Sequence, residues 1–190
     1  MNTLIARVSL VAALAVVPAI AAAQDKATEI TAGVIGLGYT TCSGCDGVFS
    51  LATGGAEQGA FGGLGGATFA VGFYLSPSLS IEPSASVSTL SASGSSLTVY
   101  SLGLAMPFSF SHVWGRKGPY LAPRVGYNAI SGGGASVTQF ALGAAFGTKV
   151  SLNDMAALRL QANFDYGFEG SGILATQSFG AFVGLSVFLK

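Results

Sequence analysis

The sequence predicts an all-β chain: an eight-stranded antiparallel up-and-down barrel, closed on itself and spanning a membrane. Three observations predict it. Residues 158–168, "LRLQANFDYGF", interleave Leu158, Leu160, Ala162, Phe164, Tyr166 and Phe168 with Arg159, Gln161, Asn163, Asp165 and Gly167. That period of two belongs to an extended strand with one oily and one polar face. The composition is too oily for water, with 51% hydrophobic and 8% charged residues and zero net charge. A soluble domain carries about 25% charged residues. Beyond the first 26 residues, no apolar run reaches the roughly 20 residues that a membrane helix needs. A chain too oily for water and without a lipid-spanning helix has one way left to satisfy its backbone in a bilayer, a closed barrel.

The first residues set the context. Arg7 precedes an apolar run from Val8 to Ile20, followed by Ala21-Ala22-Ala23. This is the order of a secretory signal peptide: basic start, short apolar stretch, small residues at the cleavage point. Pro18 interrupts the run, which is too short for a span. Residues 1–23 are therefore expected to be a cleaved signal, and residues 24–190 a single barrel domain.

Eight segments follow in order. The first, about 28 to 40, is "TEITAGVIGLGYT". The second, about 60 to 75, sets Phe61, Ala67, Phe69, Val71, Phe73 and Leu75 against Gly62, Leu64, Gly66, Thr68, Ala70, Gly72 and Tyr74. The third, about 79 to 90, alternates Leu79, Ile81, Pro83, Ala85 and Val87 with Ser80, Glu82, Ser84, Ser86 and Ser88. The fourth, about 97 to 110, has Tyr100, Leu102, Leu104 and Met106 against Val99, Ser101, Gly103 and Ala105. In the fifth, about 119 to 130, Leu121, Pro123, Val125 and Tyr127 alternate with Tyr120, Ala122, Arg124, Gly126 and Asn128. The sixth, about 137 to 151, pairs Phe140, Leu142, Ala144, Phe146 and Val150 with Gln139, Ala141, Gly143, Ala145, Gly147 and Lys149. The seventh, 155 to 168, contains the stretch quoted above, and the eighth, about 176 to 190, carries Phe179, Ala181, Val183, Leu185, Val187 and Leu189 on one face. Each is long enough for a tilted crossing of about 9 to 11 residues.

The connections fall into two classes. Ser76-Pro77-Ser78 and Asn153-Asp154 are tight turns, and "SHVWGRKG" is somewhat longer. Residues 41–59, 91–96, 131–136 and 169–175 are looser and rich in Gly, Ser and Ala. Barrels of an outer membrane have short periplasmic turns and longer external loops, which puts these four stretches outside. The polar faces are small and hold most strand charges: Glu82, Arg124, Lys149, Arg159 and Asp165. Turning the bulky faces inward would leave an exterior of Gly, Ala and Ser. The expected arrangement is the inverse, with these five charges in a narrow lumen, pairing because unpaired buried charges are costly.

With its strands laid out, the chain resembles the small eight-stranded outer-membrane barrels of OmpA and OmpX type. The resemblance is architectural and extends over residues 24–190. Its sharpest parts are "PYLAPRVGYN", "ALRLQANFDYGF" and the ending "FGAFVGLSVFLK". It implies a last strand that the barrel assembly machinery recognises through alternating apolar residues and a terminal aromatic. Here Phe188 stands two places before the final Lys190.

Candidate sites are few. Cys42 and Cys45 form C-S-G-C in the first long loop. In an exported protein the default is a disulfide; a thioredoxin-type centre would need a following helix and a zinc site more ligands. His112, with Ser109 and Ser111 nearby, lies in a turn on the wrong side for a hydrolase of outer-leaflet lipid, and adjacent strand positions face opposite ways. Trp114 in that turn is expected to anchor at the interface, with Arg116 and Lys117 toward headgroups. "GGLGGA" and "SGGGAS" lack the Lys-Ser/Thr and the helix of a phosphate loop. No basic stripe suits nucleic acid. The expected function is a structural or surface-interaction barrel, not an enzyme, with its lumen largely filled, no cofactor, membrane lipids as partners and an external ligand or partner possible at residues 41–59. A small pore or hydrophobic-ligand transporter is the competing class, and a lipid-modifying enzyme a third.

Overall fold

A computed structural model of the protein describes residues 28–53, 67–92, 95–111, 116–132, 135–170 and 172–189. Ten strand segments occur in chain order: β1 (Thr28–Cys42), β2 (Val48–Thr53), β3 (Ala67–Ser76), β4 (Leu79–Ala92), β5 (Ser95–Ala105), β6 (Phe108–Ser109), β7 (Gly118–Gly132), β8 (Ala135–Ser151), β9 (Ala156–Gly167) and β10 (Thr176–Leu189). Each wall strand pairs antiparallel with the next. The sheet closes where β1 meets β10, from Thr28 opposite Leu189 to Cys42 opposite Thr176.

The ten segments make eight wall strands. β6 continues the line of β5 past Met106-Pro107, pairing with β7 at Leu121 and Tyr120 and with β4 at Leu79. The break falls at a proline, which has no N–H for the ladder. β2 and β3 likewise lie end to end along β1: Ile35–Thr40 pair with Thr53–Val48, and Thr28–Ala32 with Phe73–Phe69. The stretch 41–59, expected to be loop throughout, thus contains a strand. Its alternation puts Phe49 and Leu51 outward beside Tyr39 and Leu37, and its backbone occupies the edge of upper β1. Of the expected second strand, Ala67 onward is strand as anticipated, while residues 60–66 lie outside the described residues. So do the signal segment, His112 and Trp114.

The register has a steep stagger. Starting at Thr31 and stepping from partner to partner, the path runs through Ala70, Ser84, Gly103, Gly126, Ala141, Gly167 and Thr176. It returns to β1 at Cys42, eleven residues further along, across a bulge between Gly33 and Ile35. Such stagger tilts the strands, as closure of an eight-stranded barrel requires. At the bulge Val34 and Ile35 are both exposed, which keeps Thr31 below and Gly38 above on the inner face.

The faces are inverted relative to a soluble protein. Along β9 Arg159, Gln161, Asn163 and Asp165 are buried, while Leu160, Phe164 and Tyr166 are 37–40% exposed. The outside is an apolar belt. Toward the ends of the strands nearest the long loops it becomes aromatic, with Tyr39, Tyr100, Tyr127, Tyr166, Phe140, Phe168 and Phe179 all exposed. Phe164 and Phe179 pack with centroids 4.9 Å apart, and Phe140 and Phe168 at 6.0 Å. Tyrosine at the rim of a belt suits the boundary between hydrocarbon and headgroups.

An arginine placed in the middle of the belt has no partner in hydrocarbon. Leu160→Arg and Phe164→Arg are each expected to lower stability by about 2–4 kcal/mol in reversible unfolding from lipid vesicles. Losses near zero at both positions would contradict a lipid-facing belt.

Candidate functional site

The most deeply buried charges of the lumen form a layer toward the short-turn end. On β8 and β9, Lys149 and Arg159 are register partners facing inward, so two cations stand side by side. Each is met by a different carboxylate from across the barrel. The Lys149 ammonium donates to Glu29 Oε2 on β1 at 2.5 Å. The Arg159 guanidinium donates to Glu82 on β4, the wall strand opposite β9. Lys149 is 4% exposed and Arg159 1%, so neither charge can rely on bulk water.

Aromatic and amide groups complete this layer. Tyr74 donates its hydroxyl to Glu29 Oε2 at 2.5 Å and accepts from the Lys149 ammonium at 3.2 Å. Arg159 Nε donates to the Tyr120 hydroxyl at 2.8 Å, and Tyr120 donates to Gln161 Oε1 at 2.6 Å. Arg159 Nη2 also donates to Gln161 Oε1, at 2.7 Å. The Lys149 ammonium lies 5.6–5.8 Å from the ring centroids of Tyr74, Tyr120 and Phe188, and the Arg159 guanidinium 5.1 Å from that of Tyr120. Rings at that range attract a cation, the more so when it is desolvated.

A third pair lies one level nearer the loops. Arg124 Nε meets Asp165 Oδ1 at 3.0 Å although their strands, β7 and β9, are separated by β8. The residue between them in register is Gly143, and a side chain there would collide with the Asp165 carboxylate. Gly147 does the same between Tyr120 and Gln161, where any Cβ would strike the tyrosine ring. These glycines let polar groups reach over a strand. Higher still, Thr176 donates to Gln139 Oε1 at 3.2 Å, and Gln139 Nε2 donates to the Leu174 carbonyl at 3.2 Å.

All five charged residues singled out in the sequence, Glu82, Arg124, Lys149, Arg159 and Asp165, thus face the lumen with ionic partners. Sequence reasoning missed Glu29. Its signal was present, since Glu29 and Thr31 share the polar phase of "TEITAG" while Ile30 and Ala32 take the other. With Glu29 included, the ion pairs of the lumen join three acids to three bases among the described residues. Cys42 and Cys45 are bonded at the tip of the β1–β2 hairpin, across a turn closed by the Cys45 amide donating to the Cys42 carbonyl at 3.2 Å. Ser109 and Ser111 bond each other at 3.1 Å, and Ser111 donates to the Lys117 carbonyl, which ties the turn before β7 together.

A closed wall of eight antiparallel strands, polar within and apolar without, defines a small transmembrane β-barrel. More particularly, the fold is that of the small eight-stranded outer-membrane barrels. Neisserial surface protein A is similar over 86% of this chain and 99% of its own, at 16% identity and a TM-score of 0.65. OprG from Pseudomonas aeruginosa covers 86% of this chain and 96% of its own, at 9% identity and a TM-score of 0.51. Ail of Yersinia pestis, in complex with the heparin analogue sucrose octasulfate, covers 87% and 100% at 12% identity and a TM-score of 0.50. At such identities the likeness is one of fold. No family model and no curated protein matches the chain.

Removing one member of a buried pair strands the other. Glu82→Ala and Arg159→Ala are each expected to cost roughly 3–5 kcal/mol in detergent unfolding, and the double variant much less than their sum. Additive losses below 1 kcal/mol would mean that each charge is separately hydrated. At Gly143, substitution by Val is expected to part Arg124 from Asp165 and to lower the unfolding midpoint, whereas Gly126→Ala, whose added methyl would make only ordinary contacts with the Leu102 carbonyl at 3.8 Å and the Ala141 side chain at 4.0 Å, should change little.

Proposed function

We propose that this protein is an integral barrel of a bacterial outer membrane, exported through a signal peptide at residues 1–23 and acting as a structural or surface-interaction protein, neither an enzyme nor an open pore. The observation that carries this is the pair of ionic bonds across the lumen, Lys149 to Glu29 and Arg159 to Glu82. An eight-stranded barrel has an interior just wide enough for side chains. Two cross-braces, with Tyr74, Tyr120 and Phe188 packed against them, leave little cross-section for ions to pass.

Function then falls to the surfaces. The belt takes membrane lipid, and β10, alternating to Phe188 and Leu189, is the segment for the assembly machinery to read. The loops assigned to the outside contain Asp46, Glu57 and Glu169 and neither Lys nor Arg. A sulfated sugar such as the one bound to Ail would find no counter-charge on them, so a ligand at residues 41–59 is neutral or cationic. Cys42 and Cys45 stiffen the tip of that loop, and Trp114 anchors the opposite end. One observation favours a second role, carriage of a hydrophobic ligand. Val99, Ile130 and Val137 are register neighbours on the inward phase near the long-loop end.

Purified protein in planar bilayers tests the plug: it should be silent, and the Glu82→Ala/Arg159→Ala double variant should pass discrete current steps. Steady conductance of the unmodified protein would replace the plug with a pore. On intact cells, protease cleavage is expected only within residues 41–59. A cut near Trp114 from outside would reverse the orientation.

A further inference from the structure

The short-turn mouth of the lumen is shut more tightly than the strand ends alone would shut it. Phe188 is the last but one residue of β10, Glu29 the second of β1 and Ser80 the second of β4, all on the inward phase and at the border of the opening. All three are nonetheless 0–2% exposed. Part of the cover comes from outside the wall. The sequence predicts headgroup contact for Arg116, in the turn between β6 and β7. The structure instead lays its guanidinium over Phe188, 5.8 Å from the ring centroid. Arg116 Nε is shut off from solvent and has no hydrogen-bond partner, while the neighbouring Lys117 is exposed. The three ion pairs of the lumen use other residues.

The turn is shaped to deliver this side chain. The Phe110 amide donates to the Pro119 carbonyl at 3.1 Å, and Ser111 Oγ donates to the Lys117 carbonyl. Gly118 takes a φ of 96° close against the Ser111 side chain. That left-handed conformation suits glycine and turns the chain sharply between Arg116 and Tyr120 of the ionic layer. The Phe188 ring also lies 5.8 Å from the Lys149 ammonium, so it sits between plug and turn in the chain of contacts.

We propose that Arg116 is a second closure of the lumen, a displaceable latch over Phe188 in series with the ionic plug, an inference that rests on the plugged reading of the barrel. A guanidinium is flat and broad and covers a ring in a way that a compact ammonium cannot. The plug is held by ion pairs between wall strands. The latch is one side chain held by a ring face, with a desolvated donor left unbonded, which costs free energy. Swung out into water, that donor is satisfied. The latch is therefore the weaker of the two barriers, and it opens without any strand leaving its neighbour.

Planar-bilayer recording in the Glu82→Ala/Arg159→Ala background tests this, because there the plug is already broken. Folding of each variant is checked by heat-modifiable migration on gels. With Arg116 in place the current steps should be brief and small, and Arg116→Ala should make them several-fold larger and longer. Arg116→Lys keeps the charge but loses the flat cover, and should behave like Arg116→Ala. Lys117→Ala removes the exposed neighbouring charge and should leave the steps as they were. Steps indifferent to Arg116, or silence in every variant, would overturn the latch. So would equal enlargement by Lys117→Ala or none by Arg116→Lys, since charge alone would then account for the effect. A second readout keeps the plug intact. Ser80→Cys places a thiol at the mouth, the native cysteines being bonded to each other. A charged thiol reagent should label it several-fold faster once Arg116→Ala is added, and unchanged labelling overturns the latch. Steady current through the unmodified protein would instead be failure of the plug, a separate result.

Discussion

The constraint on which the structure depends is that no backbone N–H or C=O can be left open in hydrocarbon. A flat sheet has two edges of such groups, and the bilayer offers them nothing. The ladder between β1 and β10 removes both edges at once. The rest follows from closing a wall of only eight strands. Closure tilts the strands, and the eleven-residue climb in register is that tilt expressed along the chain. The two broken wall strands obey the same constraint: β6 picks up the neighbours of β5 after Pro107, and β2 covers the upper edge of β1 that β3 does not reach.

A narrow closed wall also dictates the interior. Inward residues cannot reach bulk water and cannot all be large. Bulky groups are therefore concentrated in one layer, Tyr74, Tyr120, Phe182, Phe188, Lys149 and Arg159, and glycine stands where their neighbours would collide. The glycines at 143 and 147 do more than make room. By leaving a strand bare they let β7 bond to β9 over the top of β8, which ties the wall together through its lumen as well as around its circumference. Because Lys149 and Arg159 are adjacent, no single acid could neutralise both. Glu29 and Glu82 come from different strands for that reason, and each brace spans the lumen.

Outside, the same logic runs in reverse. Charges are excluded, and the choices left concern mainly shape and depth. Tyrosines collect near the rim on the long-loop side. The asymmetry continues into the connections, with acids and no bases in the long loops and Arg116 with Lys117 in the turn before β7.

What the sequence determined by itself was everything governed by a local period. The two faces, the inversion of polarity and the eight crossings were legible because side-chain direction in a strand depends only on parity. The five lumen charges were legible for the same reason. Parity could not say which acid meets which base. Glu29 was passed over although its parity was legible, and its partner Lys149, 120 residues away, emerges only from the fold. That β2 is strand and that two glycines act as bridges were likewise decided by tertiary structure. Each depends on which residues closure and stagger bring into register across neighbouring strands, and that alignment is a property of the whole ring.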